Sequence, residues 1–358
     1  MNKIVKEDIE RIIALNKEAL RAFEGKSVLV TGGAGFLGSY FVDLLALWNE
    51  TEASTRCQIY CLDTFITGTE RRLQHLDGKA YFHKLQQSVT QPLPSGIKAD
   101  YILHFASIAS PTFYRKYPVE TIDSNVAGTR SLLEHAHANG TKSMVFLSTS
   151  EIYGDPTEGN IPTPEDYRGN VSCTGPRACY DESKRMGETL CTTFFRAKGV
   201  AVKIVRPFNV YGPGLRIDDR RVIPDMFSGA FFRQEIVLHS DGSPTRSFCY
   251  VSDAIDGILR ILLSRHEGAP FNLGNDEQEI SMRDLAITVQ SLFPGNVKVI
   301  FKKSGDSDYL VDNPQRRCPN LEKIKTLTGY HPKTSLKEGL GRLKRWYENE
   351  MNWNKGGL

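Results

Sequence analysis

Short apolar, β-branched runs alternate with amphipathic stretches of helical period through the first half of the chain. Ser27 to Thr31 (SVLVT) predicts a strand that ends in glycines, and helical periodicity resumes from Phe36 to Trp48. Further strands are predicted at Gln58 to Leu62, Tyr101 to Phe105, Ser143 to Ser148 and Val200 to Val205, with helical stretches between most of them. This alternation predicts an α/β fold built on a Rossmann-type, doubly wound parallel sheet over residues 25–206. Ahead of it, Ile4, Val5, Ile9, Ile12, Ile13 and Leu20 recur at helical spacing among charges, so residues 1–24 read as a helical extension. Such a helix packs either on the core or on a partner subunit. From Pro207 onward Gly, Pro and charge become denser and the alternation fades. Residues 207–358 are therefore expected to form mainly a smaller C-terminal α/β substrate-binding lobe, with some later segments returning to the first domain. The polar stretch 49–57 (NETEASTRC) reads as a surface insertion.

Composition narrows the function classes. The formal net charge of +3 comes from 45 basic and 42 acidic residues without a basic stripe, which argues against nucleic acid as a partner. Seven widely spaced cysteines fit neither a disulfide scaffold nor a metal site, close as Cys57 and Cys61 are, and are expected to be reduced. The N-terminus lacks an apolar h-region and no apolar run reaches about 18 residues, so a membrane partner is not expected and the cytoplasm is the expected compartment.

Chemistry enters at TGGAGFLG, where Gly32, Gly35 and Gly38 stand at i, i+3 and i+6 between a strand and a helix. The first glycine permits the tight turn, the second lets backbone approach a pyrophosphate, and the third lets the helix pack closely on the sheet. The amides of Phe36, Leu37 and Gly38 then face phosphate oxygens. Asp63 closes the second strand, where a carboxylate accepts the adenosine ribose hydroxyls and repels a 2′-phosphate, so NAD is expected over NADP. Tyr180 and Lys184 in YDESK share one helix face. A phenol serves as a base near neutrality only if its pKa drops by roughly three units, and Lys184 together with a positive nicotinamide is the expected source of that field. Ser148 to Glu151 follow a predicted strand at the carboxyl edge of the sheet, where ligands bind in open α/β folds. Arg246, Arg316 and Arg317 offer guanidinium forks for diphosphate oxygens.

From residue 26 to about 347 the chain resembles the extended short-chain dehydrogenase/reductase superfamily. Within it, STSEIYGDP, TGPRACYDESKR and DNPQRRCPNLEKIKTLTGYHPKTSLKEGL are most similar to UDP-glucuronate decarboxylases. The resemblance implies that Thr149 and Tyr180 contact the reacting C4 hydroxyl, that Glu151 lies beside C5, and that Lys184 holds the nicotinamide ribose. It places Arg246 in the active site, Tyr114, Asn209 and Arg317 on the substrate, and Ser88 and Arg221 on the cofactor. It also implies a homodimer, formed by a four-helix bundle from helices around 119–138 and 178–198. Decarboxylation through a 4-keto sugar, turning UDP-glucuronate into UDP-xylose, is the activity implied.

Three positions depart from the decarboxylase pattern: Ser88 where an aspartate faces the adenine, Asp123 where a lysine is expected, and Gly214 where an arginine is expected. Arg216 and Arg221 are near enough in sequence to stand in for the last. An acid at 123 is a poor neighbour for an anionic substrate, which keeps a nucleotide-sugar 4,6-dehydratase as the alternative, with a 4-epimerase third. Ser150 speaks against the dehydratase, which needs an acid before Glu151 to protonate the leaving hydroxyl. A non-catalytic NAD-sensing scaffold is disfavoured, because Thr149, Tyr180 and Lys184 are all present.

Overall fold

The apolar runs become a seven-stranded parallel sheet in the computed structural model, which describes residues 1–302 and 314–355. Its strands are β1 (Ser27–Thr31), β2 (Gln58–Asp63), β3 (Phe82–Gln86), β4 (Tyr101–His104), β5 (Ser143–Leu147) and β6 (Val202–Pro207). A seventh, Pro270–Leu273, arrives much later in the chain. Short strands β7 (Val210–Tyr211), β8 (Glu235–Leu238), β9 (Thr245–Ser247) and β10 (Cys249–Tyr250) precede that late strand, which is therefore β11. After it come β12 (Glu279–Ser281), β13 (Lys298–Phe301) and β14 (Arg316–Arg317). The helices are α1 (Lys3–Leu20), α2 (Phe36–Thr51), α3 (Pro111–Lys116), α4 (Pro118–Asn125), α5 (Ala127–Asn139) and α6 (Ala178–Lys198). They continue with α7 (Val222–Phe232), α8 (Val251–Leu263), α9 (Met282–Gln290), α10 (Glu322–Thr328) and α11 (Leu336–Lys355).

The sheet order is β11-β6-β5-β4-β1-β2-β3. Strand order reverses between β1 and β4, and a crevice opens there at the carboxyl ends of the strands. β1, β4 and β5 are almost wholly buried, as expected of parallel strands covered on both faces. A small sheet, β12-β9-β14, stands apart from the main one and pairs Arg317 with Arg246 in parallel register.

Two local readings change. Strand β3 was not expected, and residues 49–51 continue α2 instead of starting a loop. The reason for the second is a buried side chain: Asn49 Nδ2 donates to the Cys57 carbonyl and its Oδ1 accepts the Cys57 amide, both at 2.9 Å. That pair ties the end of α2 to the start of β2, leaving only a short exposed connection.

The N-terminal helix belongs to this chain's own core. α1 packs on α2 and α8, burying Val5, Ile9, Ile12 and Leu20. Asp8, wholly buried on that face, accepts hydrogen bonds from Tyr40 (3.1 Å) and Tyr250 (2.8 Å), and Arg342 Nη2 of α11 lies 2.9 Å from its other oxygen. Among the described residues no helix is long and apolar enough to cross a membrane.

Candidate active site

The crevice between β1 and β4 is shaped by bare backbone. Gly32 has φ +67°, and a side chain there would come within 2.7 Å of the Phe105 and Ala106 backbone. A Cβ at Gly38 would lie 2.1 Å from the Gly32 carbonyl oxygen, so α2 can start this close to the turn only because that position is glycine. Gly35 is the N-cap of α2 and supplies no capping side chain, which leaves the first amides of the helix open to an anion. Asp63 sits at the end of β2, its carboxylate accepting the amides of Ala34 (2.9 Å) and Phe65 (2.8 Å). Burial pushes its pKa up, and those backbone donors oppose the shift.

These groups line a cavity of about 1300 Å³. Open helix amides, a glycine cradle and a carboxylate one strand away are the donor and acceptor set of a dinucleotide, so the residues present fit NAD. Ser88 also lines this cavity, with its hydroxyl 2.8 Å from that of Thr90. Asp123 and Gly214 line this first cavity too, and neither lines the second cavity that contains Tyr180. The sequence-based objection to an anionic substrate at Asp123 loses its footing here, because the exposed carboxylate faces the cofactor side.

The second cavity, of about 440 Å³, is lined by Tyr114, Glu151, Tyr180, Asn209, Arg246 and Arg317, all expected at the site. Tyr180 is buried on α6 and stacks on Tyr114, and the Thr149 hydroxyl hydrogen-bonds its phenol. Burial pushes the phenol well above its ordinary value; Thr149 and Arg221 pull it down but do not win. The protein's side chains alone therefore do not produce the drop expected from the sequence. Lys184, one turn along, donates from Nζ to the Leu147 carbonyl at 2.6 Å and sits 5.9 Å from the Tyr180 ring centre. Burial pushes its ammonium down to about 7.

Thr149 caps the short helix Ser150–Tyr153, its hydroxyl accepting the Glu151 amide at 3.2 Å. Glu151 is then clamped by two guanidiniums. Arg317 grips it with both Nη atoms, one at 2.7 Å from Oε2, and Arg177 pairs with the same Oε2. Burial would raise this carboxyl, but Arg177 and Arg317 override it and hold Glu151 at about 2. Arg246 completes the cluster, held by the carbonyls of Thr245 (2.8 Å) and Pro314 (2.6 Å). Burial, with Arg317 beside it, pushes its pKa down. Arg177 was missed from sequence, although it stands three residues before Tyr180 and so one helical turn below it.

The remaining expected contacts fall around this cluster. Asn209, at φ +42°, donates to the Ser247 carbonyl at 2.9 Å. Arg221 precedes α7, pairs with Asp219 and reaches both cavities. Arg316, in contrast, is turned outward and pairs with Glu279 at 2.7 Å. Among the described residues no cluster of His, Cys, Asp and Glu could hold a metal, and the seven cysteines are free.

The chain is similar to several known proteins. The chain is 38% identical over 325 residues to UDP-glucuronic acid decarboxylase 3 of Arabidopsis thaliana, covering 91% of this chain and 90% of that one. It is 36% identical to UDP-glucuronic acid decarboxylase 1 of Xenopus tropicalis, covering 91% and 73%. Among solved structures, the UDP-glucose 4-epimerase of Thermotoga maritima superposes with a TM-score of 0.78 at 24% identity, over 91% of this chain and 99% of that one. A dTDP-glucose 4,6-dehydratase of Streptomyces venezuelae, solved with NAD bound, gives 0.77 at 24% identity, over 91% and 98%. Residues 28–274 match the family model itself, and the chain belongs to the NAD dependent epimerase/dehydratase family.

Proposed function

We propose that this chain decarboxylates UDP-glucuronate to UDP-xylose, with NAD as a cofactor that ends each cycle oxidised. NAD would be held by Gly32–Gly38 and Asp63, and when bound would supply a reversible hydride acceptor for C4. Tyr180, which would be ionised only once the positive nicotinamide adds to the pull of Thr149 and Arg221, takes the C4 hydroxyl proton at its Oη, with the Thr149 hydroxyl sharing that proton. The resulting C4 ketone is β to the C6 carboxylate, so carbon dioxide leaves and its bonding electrons pass into an enolate. Guanidinium and hydroxyl donors in the Tyr180 cavity stabilise that charge. A proton from water restores the sugar at C5, and Tyr180 gives its own proton back to the C4 oxygen.

The observation that carries this reading is the clamp on Glu151. A carboxylate held at about 2 by Arg177 and Arg317 is a weak base for the C5 proton, which a 4,6-dehydratase must remove and a decarboxylase need not. The cavity also presents six arginines against Glu151 and Asp225, a charge balance suited to a substrate bearing both a diphosphate and a carboxylate. Decarboxylation also agrees with the activity named for the relatives.

The test is to incubate the chain and NAD separately with UDP-glucuronate, TDP-glucose, CDP-glucose and GDP-mannose and resolve products by mass. Loss of carbon dioxide from UDP-glucuronate supports the proposal. Loss of water from a neutral hexose, or an isomer of unchanged mass, would replace it with dehydration or epimerisation. NAD binding without turnover of any of them would leave a scaffold. We further propose a homodimer through α4, α5 and α6, because Val119 and Ile122 on α4 and Met186 on α6 are exposed apolar residues on neighbouring helices. We also propose the cytoplasm as the compartment.

A further inference from the structure

We infer that Arg72 is an anchor for the cofactor diphosphate, a cation brought to the glycine loop from a separate segment of the chain. The loop itself, Thr31 to Gly38, contains no basic residue, so any countercharge has to be delivered from elsewhere. Arg72 ends the short helix Glu70–Arg72 and reaches across to α2. Its Nε and Nη2 donate to Ser39 Oγ at 3.2 and 2.9 Å, and its guanidinium stands 5.9 Å over the Tyr40 ring. Ser39 lies in the first turn of α2, so the guanidinium rests against the helix end whose amides face an anion.

The other side of the guanidinium is Gly214. A Cβ built there would lie at contact distance, 3.4 Å from both Arg72 Nη2 and the Phe36 ring, so Gly214, at φ +91°, stands directly beside the guanidinium. Arg72, Gly35 to Gly38 and Gly214 all line the cofactor cavity. Wholly buried Asp43 sets the direction of the arginine from behind, with its carboxylate 3.7 Å from Nη2 and 2.8 Å from His75 Nε2. That spacing to Arg72 is an ion pair without a hydrogen bond, and among the described residues the guanidinium's hydrogen bonds run from Nε and Nη2 to Ser39, with none from Nη1. A guanidinium braced on three sides with an open donor is pre-organised for phosphate oxygens.

An alternative role is purely structural, as a peg between α2 and the 64–73 segment. Binding of cofactor fragments separates the two without any sugar substrate, so the outcome is independent of the decarboxylase proposal. NADH binding to the purified full chain is followed by fluorescence, with ADP-ribose, ADP and adenosine as competitors. For Arg72→Gln, NADH, ADP-ribose and ADP should each bind about tenfold more weakly, with adenosine unchanged. Arg72→Lys should fall between. Equal weakening of adenosine and ADP, or no change in either, would overturn the assignment. If Arg72→Gln does not fold, Ser39→Ala removes only the brace, and it should still weaken ADP more than adenosine; an equal effect on both would again reject the role.

Discussion

Tyr114 and Tyr180 lie face to face, with ring centroids 5.1 Å apart and planes only 6° from parallel. Tyr114 is almost wholly buried, so the stack fixes the plane of the Tyr180 ring and hence the direction of its hydroxyl toward Thr149. Removing that hydroxyl while keeping the ring isolates its chemistry from its packing. Tyr180→Phe should fold and bind NAD as the parent does while turnover falls by a factor of about 10² to 10⁴. Steady-state kinetics beside a cofactor titration checks this; a variant that keeps most of its turnover would remove Tyr180 as the proton carrier.

Asp63 braces two backbone amides and still has lone pairs for the ribose of a dinucleotide. Asp63→Asn should weaken NAD by about tenfold and narrow the gap to NADP, since the charge that repels a 2′-phosphate is gone. Affinities for both cofactors in parent and variant decide it. An unchanged ratio would mean that selectivity is set elsewhere.

The clamp on Glu151 has a pH signature with a defined sign. Its carboxyl moves from 4.5 down to about 2, so the ionised form is stabilised by folding. That contribution, on the order of 3 kcal/mol, is present above about pH 4.5 and is lost as pH falls toward 2. Glu151→Gln should therefore destabilise the protein near neutrality, where Arg177 and Arg317 are left without their counter-ion, and the difference from the parent should shrink at about pH 3. Urea unfolding at the two pH values measures this; a gap that is constant with pH would show that the clamp does not act through charge.

Much of this architecture was legible from residue patterns. Buried parallel strands read as continuous apolar runs, and α6 spans 178–198, the range implied by the superfamily resemblance. Strand β3 (FHKLQ) escaped because it is the sheet edge: half-exposed, with a charge in the middle, it carries no apolar run. The glycine loop, Asp63 and the Tyr180 to Lys184 spacing are local patterns and could be read directly. Arg177, Arg317 and Glu151 come from three separate segments, and only the fold brings them together, so their shared charge had no one-dimensional signal. Asp123 shows the converse error: its charge was read correctly, but which cavity it faces is a property of the sheet crossing.

Asp8 joins α1 to α2, β10 and α11 through Tyr40, Tyr250 and Arg342. Asp8→Ala leaves the Arg342 guanidinium partly buried without its closest carboxylate and should cost about 3 kcal/mol of stability. Thermal and denaturant unfolding would register it. A loss below about 0.5 kcal/mol would mean that α1 is held by its apolar face alone.

If α4 and α6 pair with a second copy, a charge in their exposed apolar strip should separate the copies. Met186→Glu and Val119→Asp should shift the light-scattering mass from dimer to monomer with the fold intact by circular dichroism. A parent that is already monomeric at micromolar concentration removes the proposal.

The helix α1 is made well before the groups that satisfy its buried charge, which lie on β10 and α11. Tyr250 and Arg342 are needed on Asp8, and Arg342 also donates to the Ile4 carbonyl at 3.1 Å. Until α11 has been made, α1 presents an apolar stripe with an acid that lacks its cation, so its docking is coupled to the synthesis of α11. Docking of α1 thereby reports on the presence of α11: a polypeptide that stops before α11 lacks the cation that lets α1 settle and leaves that stripe open to chaperones and proteases.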